Sequence, residues 1–352
     1  MKIKGIALLT ALFTLLPGCA TPPKSYDTSF FDVFDTYTTF SGYAGSEREF
    51  QTYSGIVYGE MLRLHHLFDI YNDYEGINNL KTVNDNAGVA PVLVDPVVID
   101  LLDQARQAHD DTGGTMNIAL GAVFRIWHRY RTQGLDDPGS ARLPSRAELS
   151  EAAGHTDIAN LIIDREASTA FLADPLMSLD VGSVAKGYAA QAAVDLVREA
   201  GMTSGILNAG GNVCVIGHPG DGRSNWSVAV QDPKSYADGG QQLYDTVYVS
   251  NSAVVSSGDY QRFYVVDGVA YHHIIDPETL APATRYRAVT IIHPDSTTAD
   301  ILSTAAFILP YPQAKRMVEE KGGQGVWILA DGTALATEGY DALSKNAGAA
   351  AG

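Results

Sequence analysis

The dipeptide Asp267-Gly268 separates two short stretches rich in β-branched and aromatic residues, and it is the feature that most restricts the fold. Asp-Gly supplies the positive φ angles of a two-residue turn, so residues 262–266 and 269–275 are predicted to pair as an antiparallel hairpin. A second Asp-Gly pair stands at Asp331-Gly332. Antiparallel hairpins with helices grouped between them indicate an α+β fold rather than a doubly wound parallel sheet.

Apolar spacing and capping residues predict the other elements. One helix follows the spacing of Phe50, Tyr53, Val57, Met61, Leu64 and Phe68, and a second begins at Asp95-Pro96 and ends near Gly113-Gly114. A late helix is predicted near Gln313 to Lys321. The predicted strands cover residues 34–40, 158–163, 170–173, 206–208, 226–230, 246–250, 288–293 and 326–330.

The stretch from Leu179 to Tyr188 places a carboxylate, a glycine, a hydroxyl and a lysine where an apolar strand becomes a helix. The first turn of a helix has unpaired N–H groups and partial positive charge, so it attracts anionic oxygens. Gly182 would allow a ligand to approach the backbone. The helix is predicted to present one apolar stripe and to end at Gly201; the stripe comprises Val184, Tyr188, Ala192 and Leu196. The alternative is an ordinary capped turn without a ligand.

Two histidines, His272 and His273, stand just before Asp276-Pro277, where the second strand of the predicted hairpin should end. A histidine at a strand end beside a loop can transfer a proton near neutral pH, and a nearby carboxylate can orient its ring. His273 and Asp276 are therefore candidate catalytic residues. The alternative is that either histidine is simply a hydrogen-bonded polar residue.

A helix is also predicted over residues 297–309. Asp300, Ser303 and Thr304 lie three and four positions apart, so their oxygens share one face of this helix. Oxygen ligands suit Mg²⁺, which takes one or two ligands from protein and the rest from water and phosphate. The alternative is a helix whose polar side faces solvent, although an aspartate in so apolar a helix needs a partner.

Together these segments resemble the ApbE family of flavin transferases, which move FMN from FAD onto a protein threonine. The likeness extends from about Phe30 to Tyr340, and the matching motifs occupy residues 179–188, 206–213, 256–263, 272–277 and 299–304. The resemblance implies a T-fold-like α+β core, with a mixed or antiparallel sheet and packed helices. It also implies FAD as substrate, Mg²⁺ as cofactor and an acceptor protein as partner.

The resemblance also assigns roles to individual residues. It implies that Asp300 and Thr304 bind the metal, with Ser183 and Ser303 contributing oxygens, and that His273 is needed for catalysis. The implied FAD contacts are Phe34, Tyr71, Thr115, Met116, Asn117, Asp180, Lys186 and Ile275. Three positions depart from the usual pattern: Asp35 replaces a glycine, Asn117 replaces a common aspartate, and Ser303 replaces an acid of some members.

The chemistry that follows is attack of a threonine hydroxyl on the phosphorus at the FMN side of FAD, with AMP leaving. His273, assisted by Asp276, would accept the proton. Attack by water would instead make the protein an FAD pyrophosphatase. A third hypothesis is a lipoprotein that only binds flavin.

The amino-terminal residues predict export. Lys2 and Lys4 precede an apolar run too short to span a membrane, and Leu16 to Cys19 resembles a bacterial lipobox. Ala20 after the cysteine favours the outer membrane, with the protein on the periplasmic side; the alternative is simple signal cleavage. A net charge of −17 argues against nucleic acid as a partner. We expect a signal peptide over 1–18, a tether over 19–28, a catalytic domain over 29–341 and a flexible tail over 342–352.

Overall fold

The computed structural model describes residues 23–237, 239–240 and 242–352. The predicted signal peptide, Cys19 and the first part of the predicted tether lie outside the described residues. The helices are α1 (Glu47–Phe68), α2 (Leu80–Asp85), α3 (Pro96–Asp111), α4 (Gly121–Asp136), α5 (Arg146–Ala153), α6 (Ala185–Glu199), α7 (Pro233–Ala237), α8 (Ser296–Ile308) and α9 (Tyr311–Glu320). The strands are β1 (Lys24–Val33), β2 (Thr36–Ala44), β3 (Val92–Leu93), β4 (Leu161–Asp164), β5 (Thr169–Leu172), β6 (Ser204–Ala209), β7 (Asn212–Gly217), β8 (Trp226–Gln231), β9 (Leu243–Val249), β10 (Ala253–Gly258), β11 (Phe263–Val266), β12 (Val269–His272), β13 (Ile275–Asp276), β14 (Ala281–Pro282), β15 (Ala288–His293), β16 (Gln324–Ile328) and β17 (Ala334–Ala336). Short 3₁₀ turns cover residues 138–140, 158–160 and 340–342.

An eight-stranded sheet forms the centre of the molecule, in the order β1-β2-β6-β7-β10-β15-β16-β17. Every neighbouring pair in it is antiparallel. Successive residues of a strand face opposite sides, and in β7 both sides are buried. Cys214 faces the larger apolar cluster, whereas Val213 and Val215 face the second. The sheet is therefore covered on both faces.

Helices α1, α6 and α8 cover one face of the sheet and bury the larger apolar cluster. Local sequence explains where they begin: the Ser46 hydroxyl accepts the N–H of Glu49 at α1, and Asp95 accepts the N–H of Val97 at α3. No side chain of its own caps α6. An aspartate of α8 completes this helix start by accepting a backbone N–H of α6.

The hairpin of β8 and β9 covers the opposite face of the sheet and forms a second apolar cluster with Val213, Val215 and Val254. A third cluster lies beside the sheet, where α4 and α5 pack against the hairpin of β11 and β12. Trp127 of α4 joins this unit to the loop beyond β13, because its indole N–H donates to the Leu280 carbonyl at 2.9 Å. These packing relations position α4 and the hairpin beside the main body.

The structure confirms the α+β prediction and several local predictions. Asp267 and Gly268 have φ angles of 50° and 80°, as the two-residue turn between β11 and β12 requires. Helices α1, α3, α8 and α9 lie where capping and spacing predict them. No helix among the described residues combines the length and the apolar character needed to cross a bilayer.

The amino-terminal region differs from the prediction. The expected tether runs to residue 28, but β1 begins at Lys24 and pairs with β2 from its first residue. Its aromatic side chains pack on α1, since Tyr26 stacks on Phe50 with ring centroids 5.5 Å apart. Ser25 and Asp27 occupy the other, exposed face of the strand. The single predicted strand over 34–40 is therefore the second half of a hairpin.

The predicted apolar stripe of α6 is wrong at its last residue. Leu196 is 39% exposed, and the buried residues follow a neighbouring face that includes Ala189, Ala190, Ala193, Val194 and Val197. Helix α6 packs between α1 and α8, so small alanine side chains rather than the larger ones face its neighbours. Helix α4 was not predicted, and residues 158–160 form a 3₁₀ turn rather than the start of a strand.

The carboxyl-terminal segment is not the loose tail that its alanine and glycine content predicts. The buried Asp245 of β9 accepts hydrogen bonds from the hydroxyls of Tyr340 (3.0 Å) and Ser344 (2.5 Å) and from the Asn346 N–H (3.2 Å). The Ala351 carbonyl accepts the N–H of Asn225. A buried carboxylate must be hydrogen-bonded, and this segment supplies the donors.

Candidate functional site

Asp300 of α8 is buried, with 3% of its surface exposed, and it faces the start of α6. Its Oδ2 accepts the N–H of Gly187 at 2.8 Å, which completes the helix start that lacks a cap of its own. Its Oδ1 lies 3.8 Å from Nζ of Lys186. Burial raises the pKa of Asp300, and the Lys186 ammonium and the Gly187 N–H oppose that shift only in part. The sequence motifs around residues 186 and 300 therefore meet directly.

Gly187 is required at this contact. A Cβ atom there would lie 2.5 Å from Cβ of Asp300 and 2.6 Å from the carbonyl oxygen of Ser296. Any larger residue would push α8 away from α6, which would separate the carboxylate of Asp300 from the helix start.

The three oxygens predicted to share one face of α8 do not all point to the same place. The hydroxyl of Ser303 donates to the Asp300 carbonyl at 2.9 Å and lies 2.8 Å from Oγ of Ser257 in β10. Thr304 is less constrained, because its Oγ1 lies 3.5 Å from the same Ser257 hydroxyl. Ser303 is fully buried, so its hydroxyl is a structural link to β10. Ser257 belongs to the matching motif of β10 but was not predicted as a site residue.

The loop before α6 contains Asp180, Gly182 and Ser183. Asp180 Oδ1 accepts the N–H of Gly182 at 2.9 Å, and burial raises the pKa of the Asp180 carboxyl. The nearby positive charge of Arg262 opposes that shift. Ser183 borders a narrow gap lined by Met116 and by Ile301 of α8. The loop thus lies against both α8 and the segment that precedes α4.

His273 lies between two short strands, directly after β12 and before Ile275. His272 is buried and fixes this break, because its Nε2 lies 2.7 Å from the Ala283 carbonyl and its Nδ1 accepts the Ile274 N–H. These contacts require a neutral His272 with the proton on Nε2. The side chain of His273 is open to solvent at the bottom of a recess. The walls of the recess displace much of its hydration and, with the positive charges of Arg262, Arg131 and Lys186, hold the pKa of His273 well below its ordinary value.

Asp276 and Ile275 form the short strand β13, just after His273. The Asp276 carboxylate accepts the N–H of Glu278 at 2.9 Å, and among the described residues no hydrogen bond links it to His273. It therefore caps the turn between β13 and β14 instead of orienting the imidazole. The Ile275 side chain is buried in the apolar cluster of α4 and the hairpin. Only its backbone is left to contact a ligand.

Two residues of α4, His128 and Arg131, face the same recess, and neither was predicted. Nδ1 of His128 lies 3.5 Å from the Tyr71 hydroxyl, and the two rings meet edge to face. Burial and the charge of Arg131 lower the pKa of His128. Burial raises the pKa of Tyr71 to about 12, with the carboxylate of Asp180 as the next contributor. No sequence pattern around α4 distinguishes these residues from solvent-exposed ones. We call the recess bordered by His128, Asp180, Lys186, Arg262 and His273 the cleft.

Phe34 lies in the two-residue turn between β1 and β2, where both Phe34 and Asp35 have positive φ angles. The Phe34 N–H donates to Nδ1 of His65 at the end of α1, at 3.2 Å. Asp35 thus adopts a conformation that favours glycine, which is the residue usual at this position in the family that the sequence resembles.

The loop after α1 is held by Asp69. This buried carboxylate accepts the N–H of Tyr71 at 2.6 Å and the hydroxyl of Tyr74 at 2.7 Å. The Tyr74 hydroxyl also lies 3.4 Å from Nε2 of His65. One network at the end of α1 therefore positions both Phe34 and Tyr71.

The segment of Thr115, Met116 and Asn117 connects α3 to α4. The Asn117 amide donates to the Thr156 carbonyl at 2.9 Å, and its carbonyl oxygen accepts the Ala119 N–H. Met116 is buried in a small apolar cluster. The Asn117 and Met116 side chains therefore stabilise the segment, which leaves Thr115 and the backbone as its groups available to a ligand.

The donor set suits a hard cation. No group of three or more His, Cys, Asp or Glu side chains among the described residues is placed to hold a metal. Asp300 instead offers one buried carboxylate whose Oδ1 has its ammonium neighbour at 3.8 Å, with the hydroxyl of Thr304 one turn further along α8. Mg²⁺ needs few protein ligands when a diphosphate and water supply the others, so these residues fit it.

Comparison with known proteins agrees with the motifs. The model of the ApbE family matches residues 35–328. A protein of Treponema pallidum named FAD:protein FMN transferase is 36% identical over 274 residues, which cover 74% of this chain and 73% of the relative. A protein of the same name from Klebsiella pneumoniae is 30% identical over 250 residues, covering 70% of this chain and 74% of the relative.

Solved structures show the same fold. The crystal structure of the ApbE protein of Thermotoga maritima superposes with a TM-score of 0.79 at 29% sequence identity, covering 91% of this chain and 99% of that chain. The flavin transferase ApbE of Vibrio cholerae gives a TM-score of 0.76 over 92% of this chain and all of that chain. At 20% identity the second likeness concerns the fold alone.

Proposed function

This chain belongs to the ApbE family, and on that premise we propose that it is an enzyme that transfers FMN from FAD to an acceptor protein. The single observation that carries the proposal is the contact of Asp300 with Gly187 and Lys186 at the start of α6, in the same cleft as His273. A carboxylate, an ammonium, helix N–H groups and a neutral imidazole are the groups that transfer of a nucleotidyl phosphate requires.

We further propose that the acceptor group is a threonine hydroxyl and that Mg²⁺ is required. Asp300 and Thr304 would hold the ion, with Ser183 as a further oxygen donor. When bound, Mg²⁺ neutralises diphosphate charge. The Ser303 hydroxyl is already hydrogen-bonded to the Asp300 carbonyl and to the Ser257 hydroxyl. It would therefore hold α8 against β10 rather than coordinate the ion.

The roles of the remaining groups follow from their positions. The imidazole of His273 is neutral at pH 7, so it can accept the proton of the attacking hydroxyl as the oxygen–phosphorus bond forms and AMP leaves. His272 fixes the backbone next to His273, and the Asp276 carboxylate caps its own turn, so His273 alone is the proposed base. Phe34 and Tyr71 would contact the flavin nucleotide from the loops at the end of α1.

Hydrolysis of FAD to FMN and AMP is the second candidate function, and the solvent exposure of His273 favours it. Water that reaches His273 can replace the acceptor hydroxyl, so we expect slow hydrolysis when no acceptor is present.

One assay tests these functions together. The protein is incubated with FAD, Mg²⁺ and an acceptor domain that contains the threonine, and intact masses and nucleotides are measured. Acceptor mass increased by FMN supports transfer, AMP and free FMN without modified acceptor support hydrolysis, and intact FAD supports a flavin-binding protein only. His273→Gln should abolish both reactions, whereas His155→Gln, a histidine paired with Asp174, serves as the control.

We also propose that the protein is a lipoprotein on the periplasmic side of a bacterial membrane, attached through Cys19. The lipobox-like residues 16–19 support this location. Labelled fatty acid should be incorporated into the wild-type chain and not into Cys19→Ala. Equal labelling of both proteins would contradict the proposal.

A further inference from the structure

Arg262 and Arg131 approach the cleft from two different elements. The register of the hairpin pairs Phe263 with His272, so Arg262 and His273 are the next residues at its open end. Arg131 lies one turn beyond His128 on α4. Helix α4 packs so closely against β11 that a Cβ atom on Gly134 would lie 2.8 Å from the Tyr264 ring. Both guanidinium groups therefore border the recess that contains His273.

Neither guanidinium has a protein partner. Across residues 23–352, as far as the structure describes them, neither Arg131 nor Arg262 makes a hydrogen bond or an ion pair. Seven other arginines do pair with carboxylates, namely Arg63, Arg106, Arg129, Arg165, Arg198, Arg223 and Arg287. The chain has 41 acidic residues and a net charge of −17, so acidic partners are abundant.

Two like charges kept together without partners cost free energy. Arg131 is partly buried, and burial together with the positive charge of Arg262 lowers the pKa of Arg131. An anion between the two groups would remove this cost, and the planar guanidinium binds phosphate oxygens through two parallel N–H groups.

We propose that Arg131 and Arg262 form an anion clamp that binds the diphosphate of FAD in the cleft. This inference rests on the proposed function. The position of His273 favours the diphosphate over a carboxylate of the acceptor, because Arg262 lies directly across the hairpin end from the proposed base. The clamp would thus face the phosphorus at which the reaction occurs.

The clamp changes no bond itself. The acceptor oxygen forms a bond to phosphorus, the bond from phosphorus to the AMP oxygen breaks with its electron pair, and His273 takes the hydroxyl proton. The guanidinium groups hold the phosphate oxygens throughout and stabilise negative charge on them as the reaction proceeds.

The test measures binding of FAD and of riboflavin, which lacks phosphate, to Arg131→Ala, Arg262→Ala and Arg129→Ala. Arg129 is the matched control, because it lies on α4 and its removal changes the net charge equally, but it pairs with Glu148. We expect FAD to bind about tenfold more weakly to each clamp variant, with riboflavin affinity unchanged and the control close to wild type. Arg131→Lys should recover part of the loss, and thermal unfolding confirms that each variant is folded.

Three results would overturn the clamp. FAD affinity could remain unchanged in both clamp variants, riboflavin and FAD affinity could fall equally, or only the KM for the acceptor could rise. The last result would assign the arginines to acceptor binding. Failure of the proposed function is distinguishable, because the wild-type protein would then modify no acceptor, whereas the clamp is tested by FAD binding alone.

Discussion

Replacing Asp300 by asparagine should separate catalysis from folding. In the wild-type protein the Gly187 N–H lies 2.8 Å from Oδ2 of Asp300. Asparagine keeps an oxygen for this N–H but removes the charge that a cation would need. We expect Asp300→Asn to abolish FMN transfer while leaving the protein folded. Asp300→Ala also removes the acceptor of the Gly187 N–H, so it should cost about 1–3 kcal/mol of stability.

The sign of the stability change follows from the pKa of Asp300. At the 3.8 Å separation from Lys186, an effective dielectric constant of about 20 gives an attraction of roughly 4 kcal/mol. The desolvation of each buried ion costs several kcal/mol. Burial raises the pKa of Asp300 above its unfolded value, so the charge is a net cost at every pH above that unfolded value. Asparagine should therefore leave the free energy of unfolding unchanged or raise it, so Tm should not fall.

Thermal unfolding with and without Mg²⁺ and FAD, together with the transfer assay, measures both effects. For the wild-type protein, an ion at 100 times its Kd should add about 2.7 kcal/mol of stability, and Asp300→Asn should lose that response. A variant that retains Mg²⁺-dependent transfer would exclude Asp300 as a ligand of the ion. A variant that unfolded several degrees below wild type would show that the carboxylate is structural, which contradicts the prediction.

Three other perturbations have defined outcomes. The lowered pKa of His273 should place the acid limb of the kcat/KM profile below pH ~6.5. Arg262→Gln removes a positive charge, so it should raise the pKa of His273 and move that limb to higher pH. An unmoved limb would exclude His273 as the base. His65→Phe removes the acceptor of the Phe34 N–H, so the KM for FAD should rise several-fold with kcat nearly unchanged, and a fall in kcat alone would contradict this. Tyr340→Phe removes a donor to buried Asp245 and should cost about 1.5–3 kcal/mol in denaturant unfolding without altering transfer by folded protein.

Local turn and cap chemistry made part of the fold predictable. The turn at Asp267-Gly268 depends only on its own two residues, and α3 starts at Asp95-Pro96 for equally local reasons. The contact of Asp300 with Gly187 was not predictable in the same way, because its partners lie more than a hundred residues apart. Only the family resemblance placed their two motifs in one site.

The residues that the sequence did not identify depend on long-range packing. Arg131 borders the cleft only because α4 packs against a hairpin formed far along the chain. Asp276 was expected to assist His273, but its carboxylate accepts the N–H of Glu278 in the following turn instead. The tail likewise resembles disordered sequence, and only the buried charge of Asp245 explains why it is ordered.

The order of strands in the central sheet has a consequence for biogenesis. Strand β2 pairs with β6, and everything from residue 45 to residue 203 lies between them in the chain. During synthesis or translocation from the amino end, the backbone N–H and C=O groups along the free edge of β2 remain unpaired until β6 emerges. Premature pairing of that edge with another nascent chain would trap the protein as an aggregate, so holdase chaperones should increase its yield most during this interval.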